Sequence, residues 1–210
     1  RRRIAGKDGP RLRHPVERLD AVELEPAMLE ASHFFDELNG KPLDDPRVRV
    51  IVDDARSYLA NTRERYDVII SEPSNPWLSG VANLFTREHF QKAREALAPG
   101  GRLLQWLPLY ATDPDVLRAI LAALRSEFPY VYGFVLDRAV PDLMLLATTE
   151  PLDPSDVPGF ESLPPAVRSG LYRVGTRSTA EIWSLLRLLP EDIDALIAGF
   201  PVTNSDDNLF

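Results

Sequence analysis

Short unbroken apolar runs alternate along this chain with stretches whose apolar residues recur every three or four positions, the mark of strands alternating with helices. From Val16 to Glu23 the pattern is that of a short strand, with Leu19, Ala21, Val22 and Leu24, ending in Glu23 and Glu25. Pro26 then opens a helix at a position where its missing N–H has no partner to lose. Met28, Leu29, Ala31, Phe34, Phe35 and Leu38 keep helical spacing, and Gly40 closes the helix. Val48, Val50, Ile51 and Val52 form the next strand, stopped by Asp53 and Asp54. Either aspartate can cap the helix that carries Ala55, Tyr58 and Leu59. Val68-Ile69-Ile70 is an unbroken β-forming triplet, which suits a parallel strand covered on both faces.

That triplet runs into Ser71-Glu72-Pro73-Ser74-Asn75-Pro76-Trp77, the stretch around which the chain is organised. Proline cannot continue a central strand, so the backbone leaves the sheet at Glu72 or Pro73. Ligands of open α/β sheets bind beyond the C-terminal ends of the strands. Glu72 is therefore a candidate for chemistry. A carboxylate in that place also caps loop amides, and the residues alone leave base and cap both open.

Downstream, Thr86 begins a helix with Glu88 in its first turn, favoured by the dipole, and with Phe90, Ala93, Ala96 and Leu97 on its buried face. Pro99-Gly100-Gly101 ends it, and residues 102–107 read as a strand. Asp113-Pro114 opens an amphipathic helix through Val116, Leu117, Ile120, Leu121 and Leu124 that stops before Pro129. Two strands follow at 130–136 and 143–148. This alternation predicts a three-layer α/β/α sheet, mostly parallel, over residues 1–150. From Pro151 the texture changes to a proline-rich linker with helical patterns around 180–189 and 192–198, a C-terminal extension spanning 151–210. There is no internal repeat.

Composition narrows the chemistry. The chain has 210 residues, 44% hydrophobic and 27% charged, with no cysteine. Thiolate zinc sites, iron–sulfur clusters and disulfides are thereby excluded. His14, His33 and His89 lack metal-ligand spacing, so no metal is expected. A net charge of −8 argues against a nucleic-acid partner and suits a cationic small molecule. No apolar run approaches the ~20 residues that span a bilayer, and a soluble, cytoplasmic chain is expected. His89 reads as a packing or surface residue, and Trp77 and Phe85 as candidates for a lid or for the core.

Acids close three successive strands: Glu23 or Glu25, Asp54 or Asp53, and Glu72. In a parallel sheet these fall along the ligand-binding edge, and an acid after the second strand suits the two hydroxyls of a ribose. The order and spacing of Val16–Pro26, Asp53-Asp54-Ala55, Tyr66–Trp77, Leu84-Phe85-Thr86-Arg87-Glu88 and Leu97-Ala98-Pro99-Gly100-Gly101 resemble the spermidine synthase (polyamine aminopropyltransferase) family. The likeness runs from about Leu12 to Thr148 and is greatest to the branch often fused to membrane helices.

The resemblance implies a Rossmann-like, class I S-adenosylmethionine-dependent methyltransferase fold. It also implies aminopropyl transfer from decarboxylated S-adenosylmethionine to a diamine or polyamine. Glu23 matches the ribose acid, Asp54 the acid that takes the adenine amino group with Ala55 beside the ring, and Glu72 the catalytic acid. Ser74 and Asn75 lie in the amine-binding loop, and Gln105 and Trp106 match pocket-lining positions. Glu72 is expected to be desolvated by the apolar strand end and Trp77.

Three departures accompany the resemblance. The family's Asp-Ser-x-Asp-Pro is here Glu72-Pro73-Ser74-Asn75-Pro76, so a neutral amide replaces the second acid. The glycine loop survives only as Gly6-Lys7-Asp8-Gly9, and the first strand is incomplete. A cut N-terminus would also remove the small β domain of stand-alone family members. The alternatives are a methyltransferase using intact S-adenosylmethionine, and a non-catalytic nucleoside-binding domain of a membrane-associated protein.

Overall fold

The computed structural model describes residues 15–73, 75–76, 80–110, 112–135 and 142–209. The glycine remnant 6–9, Ser74 and Trp77 lie outside them. In chain order the elements are β1 (Leu19–Glu23), α1 (Pro26–Ser32), α2 (Asp36–Asn39), β2 (Val48–Val52), α3 (Ala55–Asn61), β3 (Tyr66–Ser71), α4 (Arg87–Ala96), β4 (Leu97–Pro108), α5 (Pro114–Glu127), β5 (Tyr130–Val135), β6 (Asp142–Thr148), α6 (Pro165–Arg173), α7 (Thr179–Trp183), β7 (Leu186–Leu188) and α8 (Pro190–Ile197). Two compact units result. One runs through Tyr58 and adds Pro158–Thr179; the other comprises Leu59–Val157 and Ala180–Phe210. The contacts thus divide the chain at other places than the boundary expected at residue 150.

In the first unit, β1 and β2 form a two-stranded parallel sheet, with Glu23 level with Val52. The single helix expected from Pro26 is two, α1 and α2, joined by a 3₁₀ turn at His33–Phe35 and closed by Gly40 at φ 78°. Its apolar stripe is not covered: Phe34 is 89% exposed and Leu38 72%.

The second unit carries a five-stranded sheet in the order β3-β4-β6-β5-β7. Only β3 and β4 run parallel within it; β4 with β6, β6 with β5 and β5 with β7 are antiparallel. The sheet is therefore mixed where a mostly parallel one was expected. The cause is local: β5 ends at Val135 and β6 begins at Asp142, a connection far shorter than the crossover of about a dozen residues that a parallel pair needs. The helical reading of 180–189 also yields to α7 followed by β7, which adds to the sheet beside β5.

One face of this sheet is closed. Leu103 and Leu107 on β4, Leu143 and Leu145 on β6 and Val131 on β5 pack with Phe90 of α4, Leu121 and Leu124 of α5 and Ile193 of α8. The helix stripes that predicted α4 and α5 supply this layer. On β3 only Ile69 joins the core. Val68 and Ile70 are 52% and 62% exposed, so the covering expected on both faces of that strand is not found. β3 ends the five-stranded order, with β4 as its one paired neighbour among the described residues.

The Pro99-Gly100-Gly101 run belongs to β4, where the pairing jumps from Tyr66↔Leu97 to Val68↔Arg102. Gly100 takes φ 73°, in the left-handed region. A Cβ on Gly101 would stand 2.9 Å from the Tyr66 carbonyl oxygen and 2.8 Å from that of Ala98. Glycine is what lets β4 bulge and still close against β3. The C-terminal stretch around Asn204 and Asp206 meets the start of α4. Asn204, buried, donates through Nδ2 to the Phe85 carbonyl, and its own carbonyl accepts from the Arg87 amide. The Asp206 amide donates to Glu88. The segment thus ties down the start of α4. His89 and Phe85 are buried beside it, so Phe85 belongs to the core. Among the described residues no helix is long and apolar enough to cross a membrane.

Candidate active site

In the first unit, two of the expected acids stand at the C-terminal ends of adjacent parallel strands. Glu23 is the last residue of β1, and its Oε1 accepts the Glu25 amide at 2.9 Å. Asp54 follows β2 by two residues and caps α3, its Oδ2 accepting the Ser57 amide at 2.8 Å. Burial pushes the Asp54 carboxyl up, but hydrogen bonds from the Ser57 hydroxyl and amide and the Arg56 amide, with the Arg56 charge, bring it below its ordinary value. Both acids are half-buried, and Ala55 is half-buried beside Asp54. Both carboxylates are held in place by loop amides.

In the second unit, β3 and β4 run parallel with Ser71 level with Gln105. Glu72 is the next residue after β3 and is exposed. The burial expected for it at the strand end is not found, and Trp77, its other expected neighbour, lies outside the described residues. Asn75 is half-buried, and the Tyr110 hydroxyl donates to its Oδ1 at 2.8 Å, linking the loop after β3 to the loop after β4. Sequence reasoning passed over Tyr110, since a partner 35 positions away leaves no local signal.

Gln105 and Trp106 separate. Successive strand residues point to opposite faces. Gln105 lies fully buried on the closed face with Leu103 and Leu107, its Nε2 donating to the Trp106 carbonyl at 3.0 Å. Its Oε1 is buried without a hydrogen bond. Trp106 is half-buried on the other face, one residue beyond the Ser71↔Gln105 pair, the last in register before Glu72. An acid not foreseen stands on that same face. Asp142 begins β6 level with Pro108, alternate to Leu143 and in line with Met144, and its Oδ1 is buried with no hydrogen-bond partner. Among the described residues no group of acids and histidines could hold a metal ion.

The fold and this arrangement of acids can be set against known proteins. The family model of the spermine/spermidine synthase domain matches residues 4–141, more than half of the chain. The chain belongs to the spermine/spermidine synthase family. A polyamine aminopropyltransferase of Korarchaeum cryptofilum is 29% identical over 130 residues, 60% of this chain and 40% of that protein. This chain thus spans well under half the length of that relative. A spermidine synthase crystallised with the transition-state analogue AdoDATO superposes with a TM-score of 0.71 at 18% identity, covering 89% of this chain and 63% of the other. Human methyltransferase-like protein 13, solved with SAH, gives 0.53 at 21% identity, covering 92% and 76%. Both likenesses concern the fold, which is α/β and Rossmann-like as methyltransferases have it.

Proposed function

We propose that this family member transfers an aminopropyl group from decarboxylated S-adenosylmethionine to an amine of the polyamine class. The observation that supports the reading is, within the first unit, Glu23 and Asp54 at the C-terminal ends of adjacent parallel strands and, within the second, Glu72 directly after β3, in the chain order that the family resemblance assigns them. Glu23 takes the ribose hydroxyls; Asp54 takes the adenine amino group, with Ala55 beside the ring. The acceptor nitrogen attacks the methylene next to the sulfonium sulfur. A carbon–nitrogen bond forms, the carbon–sulfur pair goes to sulfur, and methylthioadenosine leaves.

The attacking amine must be neutral to attack, and Glu72 accepts its proton. An exposed carboxylate at a strand end is free to meet an incoming ammonium and accept a proton from it. Ser74, Asn75 and Trp106 are the acceptor-side residues; Gln105, expected with them, faces the closed core on the other side of β4. The likeness to the human methyltransferase-like protein is one of fold and lends methyl transfer no support of its own.

The deciding experiment incubates the full-length protein with putrescine and either decarboxylated or intact S-adenosylmethionine, and identifies the products by mass. Spermidine and methylthioadenosine from the decarboxylated donor alone are expected. Methylated amine from the intact donor, or no product from either, would overturn the reading.

A further inference from the structure

We infer that Asp142 is the specificity-determining acid that binds the far ammonium of the acceptor amine. The inference rests on the reading above, since it takes Glu72 to mark the reacting end. A diamine that offers one nitrogen for reaction carries a second, charged nitrogen, and an ammonium in a partly dry site needs an opposing charge. The loop after β3 does not supply it. Asn75 is neutral, and its Oδ1 already accepts the Tyr110 hydroxyl.

Asp142 meets the need in three respects. It is a carboxylate whose Oδ1 is buried without a hydrogen bond, a state that costs free energy until a donor arrives. It lies on the face of the sheet that carries Trp106, because Asp142 pairs with Pro108 and Met144 with Trp106. It also lies at a fitting distance from Glu72, across the intervening strand β4 and two residues further along. Strand spacing of about 4.8 Å and a rise of about 3.3 Å per residue put the two Cα atoms roughly 12 Å apart. A four-carbon diamine has its nitrogens about 6 Å apart when extended, from bond lengths of about 1.5 Å. With a charged hydrogen bond of about 2.8 Å at each end it reaches from one carboxylate to the other over the half-buried Trp106.

The test compares putrescine with n-butylamine, which has the same carbon chain and no second charge, on the full-length protein and on Asp142→Asn and Asp142→Glu. Asp142→Asn is expected to raise KM for putrescine about tenfold or more, with kcat and the KM for n-butylamine nearly unchanged. Asp142→Glu is expected to restore part of the putrescine preference, which a variant that merely misfolds would not do. Calorimetric binding of both amines is read alongside. A tenfold loss of putrescine binding in Asp142→Asn without any aminopropyl product from the parent would support Asp142 and sink the transfer reading. Normal product formation with equal effects on both amines, or none, would sink Asp142 and leave the transfer reading standing. Failure of putrescine to bind the parent protein would overturn the inference outright.

Discussion

The two units of this chain treat their apolar residues in opposite ways. In the second, Phe85, Phe90, Leu103, Leu121, Leu124, Leu145 and Ile193 are fully buried between a five-stranded sheet and three helices. In the first, within residues 15–58 the one buried residue is Asp45, whose carboxylate is engaged by Arg47, while Leu24, Met28, Phe34, Phe35 and Leu38 are exposed. A two-stranded sheet is marginal by itself. The difference teaches which half of the chemistry the chain can hold rigidly by its own packing. Glu72, Asn75, Trp106 and Asp142 sit at the ends of strands with a complete core behind them. Glu23 and Asp54 depend on local hydrogen bonds to loop amides and to the start of α3.

The largest expected effect breaks the better-packed unit. Leu121→Ala should cost about 3 kcal/mol of unfolding free energy, whereas Phe34→Ala should stay within about 0.5 kcal/mol, both read from denaturant midpoints. Comparable losses at the two positions would show that the contrast in packing is not energetic. Asn204→Ala comes next, at about 2 kcal/mol, because it leaves the buried Phe85 carbonyl without its Nδ2 donor. A loss near zero would reduce the C-terminal tie to a surface contact.

The smallest effect concerns the first unit and its dependence on local bonds. Asp54→Ala should cost about 1 kcal/mol near neutral pH through loss of the α3 cap. The carboxyl is held below its ordinary 3.8 in the folded chain. The unfolded chain therefore binds more protons in that window, and the stabilisation is complete above about 3.8 and disappears as pH falls through the lower, folded value. The gap in unfolding free energy between parent and variant should accordingly hold from pH 6 down to about 3.8 and narrow as the pH falls further. A gap that persists in acid would mean that the cap does not act through the charged carboxylate.

Much of this architecture is legible in the residues, and the illegible parts share a cause. The acids after β1, β2 and β3 announce themselves because an apolar run stops at each. Strand β7 hides because Leu186-Arg187-Leu188 lies inside a longer apolar stretch with helical spacing, and only pairing with β5 makes it a strand. The link from Tyr110 to Asn75 and the place of Asp142 beside Pro108 are likewise products of pairing between distant segments. The opposed faces of Gln105 and Trp106 were readable from the two-residue period of a strand. The family likeness, which groups the two positions, obscured it. The exposure of Val68 and Ile70 contradicts the rule that an apolar triplet is covered on both faces, since the rule describes central strands and β3 ends its sheet among the described residues.

The central claim is that Glu72 accepts the proton of the attacking amine, and a single substitution tests it. Glu72→Gln keeps the shape and the hydrogen bonds of the side chain and removes its ability to take a proton. In the full-length protein, turnover with decarboxylated S-adenosylmethionine and putrescine should fall about a hundredfold, with methylthioadenosine affinity and thermal midpoint nearly unchanged. A variant that keeps its turnover and loses thermal stability would contradict the account and make Glu72 a cap of the loop that follows β3.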